Sequence, residues 1–261
     1  MNNIKAAFFD FDWTLFDHKT RTLIDSAVDA IKEIRSKGIK VFINSARSYF
    51  SLDSLNTFKK IEFDGFVVTN GGACFLENEI IYAHYLKKEI VENIIKICKD
   101  NDISFLLSTL KTSYIYQGEN KENVNKFYEV FYEGFPKSIN EYKGEDIIAI
   151  QVFSTASQDY LFEKINNVLK NRFFEYCIEF TSKEFVKSEG ISSIIQKLNI
   201  SVDEICAFGD DVNDIDMFKL VKYGVCMGNG KDEAKKYAYH ITTNIEDDGI
   251  RNGLKFLGLV D

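Results

Sequence analysis

The feature that most constrains this sequence is a short apolar segment that ends at two aspartates. Residues 6–9 are Ala-Ala-Phe-Phe, and Asp10 and Asp12 follow on either side of Phe11. The segment predicts a buried strand, and residues two apart on an extended chain point to the same side. Open α/β sheets bind ligands at the carboxyl ends of their strands. The pair predicts a divalent-cation site or a nucleophile with an acid/base partner, and a plain polar turn is the alternative.

Composition narrows the class of protein. The chain has 261 residues, 45% of them hydrophobic and 28% charged, which is enough to fill the core of one large domain or two modest ones. The net charge of −8 argues against a nucleic-acid partner but not against a small phosphorylated molecule. We expect a cytoplasmic protein, because no apolar run suits a membrane span and no signal peptide precedes the first strand. The five scattered cysteines have no Cys-x-x-Cys spacing and fit core positions.

The first part of the chain has a strand–helix–strand pattern. After Thr14, Asp25 or Ser26 can cap a helix that ends at Gly38, and residues 39–43 form the next predicted strand. Such βαβ units place their two strands parallel and adjacent. We therefore expect Ser45, which follows the second strand, at the same sheet edge as Asp10.

The middle of the chain, from about residue 80 to residue 184, has its own alternation of helices and strands. Its length suits a small domain, and the alternative is an extension of the first sheet. Its aromatic residues suit a ring-stacking platform or, more simply, the core of that domain. The predicted helices cover residues 88–99, 121–132 and 158–171, and the aromatic residues are Tyr114, Tyr116, Tyr128, Phe131 and Tyr132.

The last part returns to the first pattern. Lys187 precedes a helix with apolar residues on one face, and the strand of residues 205–208 ends at Gly209-Asp210-Asp211. Asn213 and Asp214 follow. An EF-hand loop is excluded, because its twelve-residue ligand pattern is missing.

Taken in order, Asp10-x-Asp12-x-Thr14, Ser45, Lys187 and Gly209-Asp210-Asp211-x-Asn213-Asp214 resemble the haloacid dehalogenase-like superfamily. In detail the chain resembles the Cof-type sugar-phosphate phosphatases. The two flanking parts match the family's motif order and spacing, and the middle matches in length and general make-up. The resemblance implies an α/β fold with a doubly wound, parallel-sheet, Rossmann-like core from residues 1–79 and 185–261, and a smaller inserted α/β cap from residues 80–184.

Site residues follow from the same resemblance. It implies that Asp10 is the nucleophile, that Asp12 is the acid and base, and that Lys187 neutralises the transferred phosphoryl group. Mg²⁺ is the implied cofactor, with Asp12 binding through its backbone carbonyl. The implied metal ligands are Asp10, Asp12, Asp210 and Asp214, and the implied phosphate contacts are Phe11, Ser45, Ala46, Lys187 and Asn213.

Three positions depart from the family pattern. Trp13, Ala46 and Ser188 each stand where the family usually has glycine. A bulky indole does not readily adopt positive φ, so the turn at Trp13 either differs or narrows the site. Arg47 can face the site, but the sequence does not decide this.

We expect Mg²⁺-dependent hydrolysis of small phosphomonoesters, either sugar phosphates or phosphorylated cofactors, through an aspartyl-phosphate. A phosphomutase on the same site is one alternative, and a phosphometabolite-binding or regulatory module with little turnover is another. The expected partner is a small phosphorylated metabolite, with no nucleic acid and no membrane. We expect a monomer or a small homo-oligomer.

Overall fold

The structure is a computed structural model that describes residues 3–77, 79–119, 121–131, 134–139 and 141–261, the side chain of Phe173 excepted. The strands in these ranges, in chain order, are β1 (Ala6–Phe9), β2 (Phe16–Asp17), β3 (Thr22–Leu23), β4 (Lys40–Asn44), β5 (Gly65–Val68), β6 (Ala73–Leu76), β7 (Glu79–Ala83), β8 (Phe105–Ser108), β9 (Ser113–Tyr116), β10 (Lys137–Ser138), β11 (Ala149–Val152), β12 (Leu169–Phe174), β13 (Cys177–Thr181), β14 (Ile205–Gly209), β15 (Tyr223–Cys226) and β16 (His240–Ile241). The α-helices are α1 (Asp25–Ser36), α2 (Tyr49–Ser54), α3 (Thr57–Lys60), α4 (Lys88–Asp100), α5 (Lys121–Phe131), α6 (Lys187–Leu198), α7 (Ile215–Leu220), α8 (Asp232–Lys235) and α9 (Gly249–Phe256).

An eight-stranded sheet forms the centre of the first domain, with the order β16-β15-β14-β1-β4-β5-β6-β7. The strands from β16 to β5 pair in parallel, and β6 pairs antiparallel to β5. Every residue of β1 is buried, as expected of a central strand covered on both faces. The predicted parallel α/β core is therefore confirmed.

Alternate residues of the central strands pack against different helices. Phe8 stacks on Phe42 with ring centroids 4.7 Å apart, on the face that α6 and α7 cover. Phe9 stacks on Phe208 at 5.2 Å, on the opposite face, where Gly253 lets α9 approach closely. This two-sided packing fixes the register of β1 and makes its last residues leave the sheet at one edge.

The chain divides into two compact units. One comprises the chain up to Arg47, Asn56–Tyr82 and Phe185–Asp261, and the other comprises Ser48–Leu55 and Ala83–Glu184. A second α/β domain inserted in the core agrees with the predicted fold class. The boundaries at residues 79/80 and 184/185 stay a prediction, and the structure groups two short segments differently: 80–82 with the core and 48–55 with the inserted unit.

The inserted unit contains a six-stranded sheet with the order β10-β9-β8-β11-β13-β12, antiparallel except between β10 and β9. One face packs on α4, and part of the other face packs on α5. The predicted cap aromatics that the structure describes pack among the apolar side chains on these two faces, which favours their interpretation as core residues. Tyr132 lies outside the described residues. They are Tyr114 and Tyr116 on the first face, and Tyr128 and Phe131 on the second.

Two predicted helices differ from the structure. The predicted helix of residues 158–171 is wrong: a 3-10 segment covers Ala156–Phe162, and β12 begins at Leu169. Phe162 and Ile165 are buried as a helical face would bury them, but Asn167 takes a φ of 60° and turns the chain into the strand. The sequence also predicts one helix from Ser51 to Lys60, but Asn56, with a φ of 58°, divides this segment between α2 and α3. No helix among the described ranges is long and apolar enough to cross a membrane.

A part-buried acid in the inserted unit makes a stability prediction. Burial raises the pKa of Glu179 from 4.5 to about 7, although Gln151 donates a hydrogen bond to it at 2.6 Å. A carboxyl whose pKa is higher in the folded state loses stabilisation as pH rises through 4.5 to about 7. Glu179→Gln should therefore raise the free energy of unfolding at pH 8 by about 1–2 kcal/mol and change it little at pH 5. Thermal unfolding at both pH values measures this.

The exposed Glu175 provides the matched control. Glu175→Gln should leave the melting temperature unchanged at either pH. An equal effect of Glu179→Gln at pH 5 and pH 8 would contradict the assignment of the pH dependence to this carboxyl.

Candidate active site

Lys187 is the centre of a buried charge cluster in the core domain. It is the first residue of α6 and is fully buried, and its ammonium lies 2.5 Å from Asp10 Oδ1 and 2.7 Å from Asp214 Oδ1. Asp10 follows β1, and Asp214 ends the short 3-10 turn after β14. Burial disfavours the charged lysine, but the two carboxylates outweigh it and raise the pKa of Lys187. The cluster therefore contains a permanent cation.

Asp214 also orders the loop that carries Asp210. Its Oδ2 accepts hydrogen bonds from the backbone N–H groups of Asp210 and Asp211 at 2.9 and 3.1 Å. Gly209 is required here, since a Cβ at this position would lie 2.4 Å from the Asp214 carboxyl group. Both Asp214 oxygens thus accept hydrogen bonds from protein donors, which fits a residue that orients the ligands of a metal site.

The three carboxylates of Asp10, Asp210 and Asp214 form a group that suits a metal ion. One oxygen from each lies within 4.8 Å of the others. Burial, and after it the neighbouring carboxylates, raise the pKa of Asp210, and burial likewise raises that of Asp10 despite Lys187. When all three carboxylates are ionised they share one lysine, which leaves an excess of two negative charges. An all-oxygen donor set with this excess fits a hard divalent cation such as Mg²⁺.

Asp12 is not part of this group, because its carboxylate pairs with two other side chains. Arg47 donates from Nε and Nη2 to Asp12 Oδ1 at 3.1 and 2.8 Å and from Nε to Oδ2 at 3.0 Å, and His18 Nε2 lies 2.7 Å from Oδ1. Burial opposes the charge of Asp12, but His18 and Arg47 outweigh it and lower the pKa of Asp12 to about 2. The Asp12 side chain, which the resemblance leaves free of the metal, is therefore a carboxylate held by hydrogen bonds.

Two backbone amides are available to an anion in the predicted phosphate-binding loops. Among the described residues, none accepts a hydrogen bond from the N–H of Phe11 or of Ala46. The Ser45 hydroxyl is fully buried and accepts from the Arg47 amide at 3.1 Å. Unpaired N–H groups at strand ends are the donors that bind phosphate oxygens. Asn213 instead donates to the side chain of Asn70 at 3.3 Å.

The three departures from glycine have different structural outcomes. Trp13 keeps the left-handed conformation, with a φ of 59°, and its side chain is 37% exposed. Ala46 is exposed and is not among the described residues with positive φ. Ser188 lies in the first turn of α6, where its amide donates to Asp216 at 2.6 Å. The turn at Trp13 therefore has the backbone that glycine would provide.

Sequence reasoning did not assign four residues that touch this site. Arg47 and His18 hold Asp12, the Thr14 hydroxyl donates to Asp210 Oδ1 at 3.2 Å, and Asn70 contacts Asn213. Thr14 could have been found because it stands inside a quoted motif, and Arg47 because it lies two residues after Ser45. His18 lies in the turn between β2 and β3, outside any motif, and only the fold brings it to Asp12.

Comparison with known proteins identifies relatives that match nearly the whole chain. The family model for haloacid dehalogenase-like hydrolases matches residues 7–254. Bacillus subtilis YkrA, provisionally named a phosphatase, is 26% identical over 260 residues, covering 98% of each chain. The B. subtilis 5-amino-6-(5-phospho-D-ribitylamino)uracil phosphatase YcsE is 26% identical over 256 residues, covering 97% of this chain and 95% of its own. A solved subclass IIB sugar phosphatase, BT4131, is 26% identical, with a TM-score of 0.79 over 98% of this chain and 100% of its own.

The chain belongs to the haloacid dehalogenase-like hydrolases. The predicted family and the predicted enzyme class, a hydrolase of this type, are both confirmed.

Proposed function

We propose that this protein hydrolyses small phosphomonoesters in a Mg²⁺-dependent reaction through an aspartyl-phosphate on Asp10. The observation that carries the proposal is the buried group of Asp10, Lys187, Asp210 and Asp214, with one lysine among three clustered carboxylates. A protein that only binds a ligand does not need the Asp10 carboxylate held against the buried Lys187 ammonium. Nor does it need a second carboxylate, Asp12, held separately beside it.

In the first step the Asp10 carboxylate attacks phosphorus and the bond to the leaving alkoxide breaks. Lys187 touches Asp10 and neutralises negative charge in the transition state, and its burial strengthens that interaction. The amides of Phe11 and Ala46 and the hydroxyl of Ser45 bind phosphoryl oxygens. Asn213 adds a further polar contact from the loop after β14.

In the second step water attacks the aspartyl-phosphate, which restores Asp10 and releases phosphate. Asp12, with its pKa lowered to about 2, is a carboxylate at neutral pH and accepts a proton from that water. To protonate the leaving alkoxide in the first step, Asp12 must take up a proton on Oδ2 as substrate binds, which displaces the Arg47 hydrogen bond to that oxygen. The proton that Asp12 accepts from the attacking water then replaces the one given to the alkoxide.

Asp10 and Asp210 would hold Mg²⁺, joined by the backbone carbonyl of Asp12. Bound there, the cation offsets repulsion between the Asp10 carboxylate and the phosphate dianion. Thr14 orients the Asp210 carboxylate by its hydrogen bond, and Asp214 orders the Asp210 loop.

Sugar phosphates are the first substrate class that we propose, and phosphorylated cofactors or their precursors are the second. The support is the similarity to one sugar phosphatase and to one phosphatase of a phosphoribityl compound. The net charge of −8 gives the chain no overall basic character for binding a polyanion, which favours a small phosphorylated metabolite as substrate.

The test is phosphate release from sugar phosphates, nucleotides and phosphorylated cofactors, with Mg²⁺ and with EDTA. We expect release from a few members that EDTA abolishes and added Mg²⁺ restores. Release unaffected by EDTA would reject the metal dependence. Silence across the panel from folded protein would reject the phosphatase, and transfer from a bisphosphate without phosphate release would identify a mutase.

Asp12→Asn should slow hydrolysis of an alkyl phosphate by roughly 10²–10⁴-fold, because the amide neither accepts nor donates the required proton. Steady-state turnover of the best panel substrate measures this. Asp29→Asn, an exposed change on α1, is the control and should have full activity. An unchanged rate for Asp12→Asn on an ester with a poor leaving group would remove Asp12 from its role.

A further inference from the structure

We propose that His18, held against the indole of Trp13, is a positioning residue that orients the Asp12 carboxylate for acid–base catalysis. This inference rests on the proposed function, since it concerns the group that moves the proton. It assigns a role to the departure at Trp13, which the phosphatase mechanism alone leaves without one.

The contacts of Asp12 are unequal between its two oxygens. Oδ1 accepts from His18 at 2.7 Å and from Arg47 at 2.8 and 3.1 Å, whereas Oδ2, among the described residues, accepts from Arg47 at 3.0 Å and from no other side chain. A carboxylate oxygen has about two lone-pair sites. Oδ1 is therefore saturated, and Oδ2 retains the capacity to accept a proton. Arg47 donates to both oxygens and does not by itself distinguish them, whereas His18 contacts Oδ1, so His18 defines which oxygen is left for chemistry.

Arg47 alone constrains the orientation of the Asp12 carboxylate less than Arg47 and His18 do together. The guanidinium is buried and lies over the rings of Phe11 and Phe16, 5.3 and 5.9 Å from their centroids, so Arg47 is fixed. The carboxylate is the part that can rotate, because Asp12 is 27% exposed. A second donor from a different segment of the chain removes that freedom.

His18 is held in place by rings on two sides. The indole of Trp13 stacks on it at 5.0 Å with an interplanar angle of 25°, and Phe16 meets it edge-on at 5.3 Å and 88°. The turn that carries His18 is closed by Asp17, which accepts from the amides of Lys19 and Arg21 at 2.8 and 2.7 Å. An imidazole confined in this way loses little entropy when it hydrogen-bonds to Asp12.

Trp13 is secured at a backbone conformation that costs energy. At a φ of 59° the Cβ of a non-glycine residue lies too close to the following carbonyl oxygen, which is a steric cost that glycine does not have. The Trp13 carbonyl accepts from Asn229 at 2.9 Å, and its N–H donates to the Phe16 carbonyl at 2.9 Å. Glycine would give the same turn without that cost, so the indole must contribute through its side chain, whose described ring contact is His18.

The experiment is a double-mutant cycle that combines His18→Phe with Asp12→Asn. His18→Phe keeps an aromatic ring for Trp13 but removes the hydrogen bond. We expect it to lower kcat on an alkyl phosphate about tenfold with KM within twofold, and to lower kcat less than twofold in the Asp12→Asn background. His18→Gln, whose amide can still donate, should recover activity to within about threefold of wild type.

His240→Phe is the matched control, because His240 also stacks on an aromatic ring, Phe256, but at the sheet-edge strand β16. It should leave kcat and KM unchanged. An equal loss from His18→Phe in both backgrounds, or no loss in either, would overturn the proposal.

A crystal structure of His18→Phe decides the question without reference to activity. The proposal requires the Asp12 carboxylate to rotate away from its wild-type orientation or to occupy more than one orientation. An unmoved, singly occupied carboxylate would overturn it. Wild-type turnover in the substrate panel is measured separately, so failure of the phosphatase assignment and failure of the positioning role are distinguished.

Discussion

Asp10→Asn should abolish turnover while the protein stays folded. The amide is a poor nucleophile, and losses on the order of 10⁴- to 10⁶-fold are typical when a covalent nucleophile is removed. The measurement is phosphate release by wild type and variant on the best panel substrate, beside thermal unfolding of both.

The structure explains why stability should survive this change. Burial and the carboxylates of Asp214 and Asp12 already raise the pKa of Asp10, so its negative charge is costly in the folded state. Asparagine removes that charge in the same shape, and Lys187 keeps its 2.7 Å contact with Asp214. The melting temperature should therefore stay equal or rise.

A retained covalent phosphate would give a second readout. Wild-type protein quenched during turnover should contain an acid-stable, base-labile phosphoryl group, and Asp10→Asn should contain none. Retained activity, or phosphoryl labelling of the variant, would move the nucleophile to another residue. Asp29→Asn again serves as the unaffected control.

The predictable part of this fold depends on long apolar runs and strand ends. β1, β4 and β14 have apolar centres and are followed at once by Asp10, Ser45 and Asp210, so strand position and site position come from the same pattern. Parallel pairing then brings these ends to one edge without detailed knowledge of the side chains.

The errors arise where a single residue changes the backbone direction. Apolar spacing through Phe162 and Ile165 fits a helix, yet the left-handed Asn167 starts a strand instead. Asparagine adopts this conformation at modest cost, but sequence periodicity does not indicate which asparagine will do so.

The sequence predicted which residues form the site better than it predicted which of their side chains contact each other. The resemblance implied that Lys187 neutralises the phosphoryl group and orients Asp10, and the structure adds its contact with Asp214. Asp12 was expected to act as acid and base with a side chain not bound to the metal, and the structure adds its pairing with Arg47 and His18. Such pairings join segments far apart in the chain, so their spacing in sequence carries no signal of them.

Lys187→Met should cost both activity and stability. Methionine fills the space of the lysine stem but removes a fully buried ammonium, which leaves Asp10 and Asp214 without their cation. Removing one partner of a buried ion pair typically costs about 3–5 kcal/mol. Phosphoryl transfer should fall by at least about 10²-fold, the scale for losing one preorganised electrostatic contact. Chemical denaturation and phosphate release measure the two losses.

The pH dependence of the stability loss separates the electrostatic cause from a packing defect. Without Lys187 the folded-state pKa of Asp10, already raised by burial, should rise further. A carboxyl whose pKa is raised by folding loses stabilisation as pH rises, so Lys187→Met should be less destabilised at pH 5 than at pH 8.

Adding Asp214→Asn should recover part of the stability but none of the activity, because it removes one uncompensated charge without restoring the cation. Lys197→Met, an exposed change on the same helix, should do neither. A loss of stability that is equal at both pH values and that Asp214→Asn does not relieve would show that Lys187 acts by filling space. The stability of the cluster would then give no support to Lys187 as the cation that neutralises the phosphoryl group.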